Sequence, residues 1–358
     1  MRLALDARWL QQPLHGIARY TLNLIQSLPL KRGDSLLLLY NRLDFTPFER
    51  PGLIWIDCNT PLFAASEPLR ISHLLRRLKP DLLHVPAYWM PYAPACPWVM
   101  TIHDLIHLTE PGLKYRLYYA WLRRRIRAAA GVMTVSRASV AQLRDWAGIQ
   151  AELSYPGVEA SYRPGPPRPE ALASLGITRP FFLYVGNPKP HKQADLALRA
   201  SAALDLPHQL VTLGIPATDQ PGHLALRGLP EDLMPLLYRS ATALLLPSLA
   251  EGFGLPGAEA TACACPVLAS DLAVFREVLP AATLLPATDA AAWSQAMEAL
   301  LRQPPPAALL TQAATEAQQR FSCRQLGEGS RAFYQRALSQ PGSAQQNRSK
   351  WLQGSRSE

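Results

Sequence analysis

Leu246-Pro-Ser-Leu-Ala-Glu-Gly-Phe-Gly-Leu-Pro-Gly-Ala-Glu259 leaves an apolar run, passes through a glycine-broken turn and enters an alanine-rich helix. The run before it, Ala241 to Leu246, is predicted to be a short strand buried on both faces, because a brief apolar run stopped by Pro247 is what a covered parallel sheet requires. In an open parallel sheet, ligands sit beyond the carboxyl ends of the strands. Gly252 and Gly254 let the backbone approach an anion closely at that point, and the helix that follows offers it unpaired N–H groups. Glu251 precedes the turn and Glu259 lies inside the helix, so both can face one ligand over the helix N-terminus. Carboxylates accept hydrogen bonds from sugar hydroxyls, so two of them flanking phosphate-binding amides suit a nucleotide sugar. Spacing alone equally allows Glu251 to cap the helix and Glu259 to be solvated.

Outward from this stretch, a chain of 358 residues, 48% hydrophobic and 18% charged, has the size and composition of two soluble globular domains. No apolar run reaches the roughly eighteen residues that span a bilayer. Met1-Arg-Leu-Ala-Leu-Asp6 also lacks the apolar core of a signal peptide, so a cytoplasmic location is expected. The five cysteines are scattered, without zinc-site spacing, and read as reduced thiols; Cys263-Ala-Cys265 reads as helix packing. The net charge of +9 belongs entirely to residues 1–150, which hold 19 Lys and Arg against 10 Asp and Glu, whereas residues 151–358 balance. An acidic surface or substrate met by the first half alone is implied.

Strands are predicted at Arg2–Leu5, Leu36–Tyr40, Leu53–Ile56, Leu82–Val85 and Trp98–Ile102, with helices at 17–28, 68–78 and 138–146. A second alternating set follows the proline run Tyr162-Arg-Pro-Gly-Pro-Pro-Arg-Pro169, which cannot form a helix or central strand and reads as a linker. It comprises strands at Phe181–Gly186, Gln209–Leu213, Leu224–Gly228, Ala241–Leu246 and Pro266–Ser270, with helices at 194–204, 290–302, 305–320 and 323–337. Each half is thus an α/β, doubly wound parallel sheet. Lys189 and Lys192 stand three apart before a helix, where they can neutralise a diphosphate or simply line a solvated loop. Lys114 to Arg127 combines aromatic residues and leucine with six basic residues and no acid. Such a helix can lie at an anionic membrane, with aromatic side chains at headgroup depth and Arg on phosphates, or pack on the core with a basic solvated face. No nucleic-acid-binding module is evident. From residue 339 the chain is polar and pattern-free, and disorder is expected.

Glu251-Gly-Phe-Gly-Leu-Pro with Glu259 resembles the Glu-x7-Glu signature of the family-4 retaining glycosyltransferases, whose GT-B architecture sets two Rossmann-like domains across a cleft. Further similar segments are His15-Gly-Ile-Ala-Arg-Tyr20, Thr101-Ile-His-Asp104, Val135-Ser136, Tyr155-Pro-Gly-Val-Glu159 and Asn187-Pro-Lys-Pro-His-Lys192. The resemblance implies that Glu251 binds donor-sugar hydroxyls, that Glu259 binds the nucleotide ribose, and that amides of Gly252, Phe253, Gly254 and Leu255 hold the diphosphate. It further implies that Lys192, with Lys189 as auxiliary, stabilises the leaving group and that His103 stands beside the anomeric carbon. Asp104 becomes an acceptor-side group or an orienter, and Gly16 and Gly186 border the donor phosphates. The family usually has glycine where His15 stands and arginine where His191 stands.

The implied domains are residues 1–160 on the acceptor side, a linker at 161–170, a nucleotide-sugar domain at 171–322, a last helix at 323–338 crossing back, and a tail at 339–358. No Asp-x-Asp pair is present to hold a divalent ion, so no metal or other cofactor is expected. The expected activity is transfer of a hexose, mannose or glucose, from a GDP- or UDP-sugar to a glycan or lipid-linked glycan, as in lipopolysaccharide or exopolysaccharide synthesis. A peripheral contact at the inner face of the plasma membrane through residues 114–127 is part of that expectation. A nucleotide-sugar epimerase of the same fold, or a non-catalytic nucleotide-binding subunit of a polysaccharide assembly complex, is the alternative.

Overall fold

A computed structural model of the chain describes residues 1–11, 16–90, 94–109 and 113–339. His15 of the first glycine loop and the tail from 340 lie outside the described residues. The chain folds as two compact units, Met1–Gly157 joined by the segment from Cys323, and Val158–Ser322.

The first unit is built on strands β1 (Arg2–Asp6), β2 (Ser35–Tyr40), β3 (Leu53–Asp57), β4 (Leu82–Val85), β5 (Trp98–Ile102), β6 (Gly131–Thr134) and β7 (Glu152–Leu153). They form one sheet in the order β3-β2-β1-β4-β5-β6-β7, parallel throughout. Helices α1 (Gly16–Ser27), α2 (Glu67–Leu78), α3 (Leu113–Ala128) and α4 (Arg137–Ala147) connect them. Alternation along each strand divides its side chains between two cores. Leu3, Leu5, Leu36 and Leu38 pack with α1 residues such as Leu24, while Ala4, Leu37 and Leu39 pack on the other face with Ile71 of α2 and Leu122 of α3. Near-continuous leucine in β2 follows from burial on both faces.

The second unit has β8 (Phe181–Val185), β9 (Gln209–Leu213), β10 (His223–Leu226), β11 (Ala243–Leu246), β12 (Val267–Ser270) and β13 (Thr283–Leu285), in the all-parallel order β10-β9-β8-β11-β12-β13. Its helices are α5 (Pro169–Ser174), α6 (Ala194–Ala202), α7 (Met234–Ser240), α8 (Leu255–Ala262), α9 (Ala273–Val278), α10 (Ala290–Arg302) and α11 (Ala307–Arg320). The last helix, α12 (Cys323–Ser339), belongs to the first unit, where Leu326, Phe333 and Tyr334 join the core of β1 and α1. Gly327 makes this docking possible, since a Cβ there would collide with the Ser27 carbonyl at the end of α1.

The boundary between units falls at Gly157 and Val158, upstream of the proline run read as the linker. That run belongs to the second unit: Arg239 of α7 donates to the carbonyls of Ser161 and Arg163 at 2.9 and 2.6 Å. A proline-rich segment cannot join a sheet, but its carbonyls remain good acceptors, and one guanidinium secures two of them. Strands β7 and β13 and helices α5, α7 and α9 are absent from the sequence reading, being too short for a period to declare itself.

Candidate active site

In each unit the expected residues gather where strand order reverses, β1 beside β4 in the first sheet and β8 beside β11 in the second.

In the second unit, three bonds staple the loop after β8 to the loop after β11. The Leu249 N–H donates to the His191 carbonyl at 2.7 Å, and the Gln193 side-chain amide donates to the Pro247 carbonyl at 3.1 Å. The third joins the two candidate side chains: Lys192 Nζ donates to Glu251 Oε1 at 2.5 Å. Gln193 turns the chain into α6 through a left-handed conformation, φ 48°. Ser248 Oγ also donates to Glu251 Oε1, at 2.8 Å, and among the described residues Oε2 has no protein partner. Both ionic side chains keep some exposure, 23% for Lys192 and 10% for Glu251, so a solute can reach them. The Tyr184 hydroxyl donates to the Lys192 carbonyl at 3.3 Å; burial, and then the Glu251 carboxylate, push this phenol above its ordinary value. Lys189 is exposed and makes no ion pair among the described residues.

Glu251 does not cap α8. The cap is Gly254, at φ 83°, where a Cβ would stand 2.5 Å from the buried Phe275 ring. Phe253 is buried edge-on against Phe321, centroids 5.2 Å apart, so only its backbone faces the turn. Leu255 then opens the helix, where the first N–H groups have no partner within it. Gly257 is packed so tightly that a Cβ would stand 2.7 Å from Leu279 and 2.8 Å from Leu246. Glu259 is not solvated either: it is 1% exposed and accepts from the Tyr238 hydroxyl at 3.1 Å. Gly186 ends β8 in close approach to Gly214, whose φ of 92° and missing Cβ accommodate the Gly186 carbonyl.

In the first unit, His103 follows β5, and its Nε2 lies 3.0 Å from the Pro86 carbonyl after β4. A carbonyl only accepts, so Nε2 carries the proton in that bond. The Tyr20 ring of α1 meets the imidazole edge-on at 4.8 Å, and its hydroxyl lies 3.1 Å from Thr101 Oγ1. Beneath this runs a buried chain, Thr101 Oγ1 to His84 Nε2 at 2.9 Å and His84 Nδ1 to the Tyr334 hydroxyl of α12 at 2.8 Å. Burial, helped by His103, lowers the His84 pKa to about 3, and burial raises that of Tyr20 to about 12. Asp104 accepts from the Ile106 N–H at 3.0 Å and so caps the turn Ile106–Thr109. Gly16 opens α1 with nothing within 4 Å of where its Cβ would be.

Sequence reasoning missed Ser248, Tyr184, Tyr238 and the Tyr20 chain, because each takes its part from a partner that only the folded loops and sheet bring into reach. Of the two readings left open for α3, its aromatic residues follow the one that packs on the core beneath a basic solvated face. Tyr118 stacks on Trp121 at 5.8 Å and on Trp89 at 6.3 Å, and the Tyr119 hydroxyl donates to the His107 carbonyl. The exposed face instead carries Leu113, Arg116, Leu117, Arg123, Arg124 and Arg127. Among the described residues no helix is long and apolar enough to cross a membrane. All five cysteines are free; burial raises the Cys263 thiol to about 12, and Cys265 is buried beside it, in keeping with packing.

Residues 14–162 match the model of Glycosyltransferase Family 4, and residues 179–303 match Glycosyl transferases group 1. The O-antigen chain mannosyltransferase B of Escherichia coli is 25% identical over 334 residues, 80% of this chain and 86% of that one. Among solved structures, sucrose-phosphate synthase from Thermosynechococcus elongatus superposes with a TM-score of 0.76 at 19% identity, covering 95% of this chain and 99% of that one. Anabaena HepE in complex with UDP-glucose gives 0.72 at 16% identity, covering 93% and 99%. Both likenesses are of fold, two Rossmann-like parallel-sheet domains in the GT-B architecture. With the Glycosyltransferase Family 4 model on its first part, the Glycosyl transferases group 1 model on its second and a relative matched over most of its length, the chain is a glycosyltransferase of the GT-B fold, consistent with the family-4 glycosyltransferases.

Proposed function

We propose that this glycosyltransferase moves a hexose, mannose or glucose, from a GDP- or UDP-sugar to a glycan or lipid-linked glycan of a cell-surface polysaccharide, with retention at the anomeric carbon. The observation that carries the reading is the Lys192 to Glu251 pair, exposed enough to meet a donor and stapled beside the N-terminus of α8. In this mechanism Glu251 takes donor-sugar hydroxyls and Glu259, held by Tyr238, takes the ribose. The bond from the anomeric carbon to the diphosphate oxygen breaks, and its electron pair goes to that oxygen. Lys192, with Lys189 nearby in sequence and the amides from Gly252 to Leu255, stabilises the charge that develops. The acceptor oxygen bonds to the same face of the sugar and its proton passes to the departing phosphate. His103, fixed by Pro86 and Tyr20, borders the anomeric carbon. Support for the donor comes from the UDP-glucose bound by HepE, and for the acceptor from the O-antigen relative.

No divalent ion enters this scheme, and the exposed basic face of α3 would hold the protein on the anionic inner leaflet. A panel of GDP-mannose, GDP-glucose and UDP-glucose, assayed for binding and slow hydrolysis in excess chelator, tests it. One donor should bind and hydrolyse without metal. Activity restored only by a divalent ion would overturn the metal-free scheme, and epimerised donor without any acceptor would overturn transfer.

A further inference from the structure

A cavity of about 290 Å³ opens in the first unit at the carboxyl ends of β1, β2 and β3, lined by Trp9 and Phe63 and by Asp44, Asp57 and Asn59, with buried Asn41 bonded to Asp44 and to the Thr60 N–H beneath them. Aromatic walls with a planar polar rim are the combination that takes a sugar. The ring's C–H face lies on the aromatic surface, and its hydroxyls, at once donors and acceptors, pair with amides and carboxylates.

Phe63 is a residue for which folding gives no reason. It is 60% exposed, so it buries little, and it holds a φ of 66°, where bulky side chains are outliers. Asn59 on the rim is left-handed too, at φ 42°. Such strain persists only where the surroundings over-determine it, and the surroundings here are explicit. Asp6, Arg8 and Glu67 are each 0% exposed. Arg8 grips Asp6 with two bonds of 2.8 and 2.7 Å and reaches Glu67 Oε1 at 2.8 Å. Glu67 Oε2 in turn accepts from the Phe63 N–H at 2.9 Å and from the Trp89 indole N–H at 3.1 Å. Arg8 also lies 3.4 Å from the Thr60 carbonyl. Burying three charges opposes folding unless they are well paired. What this triad secures is the loop from Thr60 to Phe63, and through it an aromatic wall in which Phe63 stands 6.2 Å from Trp9 and 4.8 Å from Trp89.

His103 lies on the same carboxyl edge, after β5. At roughly 4.8 Å per strand the cavity stands about 10 to 20 Å along that edge from it. That is too far for the reacting sugar and suited to another unit of the same glycan. We propose that this cavity is a carbohydrate subsite holding a unit of the acceptor remote from the reacting hydroxyl, an assignment that rests on the glycan-acceptor reading above. Binding there would let a long acceptor spend remote contacts on positioning the near one.

Phe63→Gly and Asn59→Gly test it without endangering the fold, because glycine adopts positive φ freely and relieves the strain. The probes are methyl α-D-mannoside, mannotriose and maltotriose, followed by saturation-transfer NMR and by tryptophan fluorescence, with thermal melting as a check on folding. The wild type should bind at least one trisaccharide, and each variant should bind it at least about fivefold more weakly while donor binding and slow donor hydrolysis stay unchanged. Binding of no probe by the wild type, or equal binding by both folded variants, with donor hydrolysis intact, overturns the subsite and leaves the transferase standing. Absence of donor hydrolysis in the wild type would overturn the function on which the subsite rests, and the subsite with it.

Discussion

Lys192 and Glu251 act on each other before either acts on a donor. Glu251 Oε1 receives both Lys192 and Ser248, which holds the ammonium in place and leaves the second carboxylate oxygen without a protein partner among the described residues. Lys192→Ala removes the cation expected at the leaving group, and Glu251→Ala removes both the proposed sugar contact and the group that orients the lysine. Each variant should lower turnover by about a hundredfold or more, the scale of losing one charge-assisted transition-state contact. Ser248→Ala should cost far less, since Lys192 still holds the carboxylate. Steady-state rates on purified, folded variants check this, and near-normal turnover in Lys192→Ala would refute the role given to the lysine. Glu251, Glu259 and Lys192 could be singled out as candidates because the chain places them beside glycines and prolines of recognisable order. Ser248 and Tyr238 were not, because a serine or tyrosine acquires its role only from the carboxylate the fold sets against it.

At the scale of the element, α3 shows how a composition leaves two orientations open and the fold sets one, with the aromatic residues inward. Residues 113, 116, 117, 120, 124 and 127 recur at helical spacing and are all exposed, so one face combines Leu113 and Leu117 with arginines. The aromatic residues face the other way, and Arg125 is drawn back over the Trp98 ring, 4.9 Å from its centroid. The apolar contribution to membrane contact should therefore come from the two leucines and the charge from Arg116, Arg123, Arg124 and Arg127. Cosedimentation with anionic liposomes at low salt should show binding that weakens as salt rises within the screening range. Changing those four arginines to glutamine should reduce it by about tenfold or more, each basic group contributing separately near an anionic surface. Equal sedimentation of both proteins, or none at low salt, would leave α3 a solvated face.

For the whole molecule, the chain Tyr20, Thr101, His84 and Tyr334 joins α1, the first sheet and a helix from the far end of the sequence. Burial holds the folded pKa of His84 at about 3, whereas an unfolded histidine titrates near 6.5. Between those values the unfolded state binds the extra proton, so stability rises with pH. The contribution is complete above about pH 6.5 and is lost as pH falls towards 3, at up to about 1.4 kcal/mol per unit. Denaturant unfolding from pH 7 to 4 should show this slope, and His84→Gln should flatten it by close to one proton. An unchanged slope in the variant would mean that other groups carry the acid sensitivity.

Alternating apolar runs and the turns between them determined by themselves the two parallel sheets and most of their elements, and the glycine turn after β11 with the spacing of Glu251 and Glu259 marked the candidate donor-side residues. These are short-range features, set by backbone sterics and by the period of burial, and a sequence displays them directly. Only the tertiary structure decided that the proline run stays with the second unit, that Glu259 is buried against Tyr238, and that Asp6, Arg8 and Glu67 meet without water. Those outcomes depend on which distant groups are desolvated together, and the cost of an unpaired buried charge or carbonyl selects the partner only after the sheets have formed.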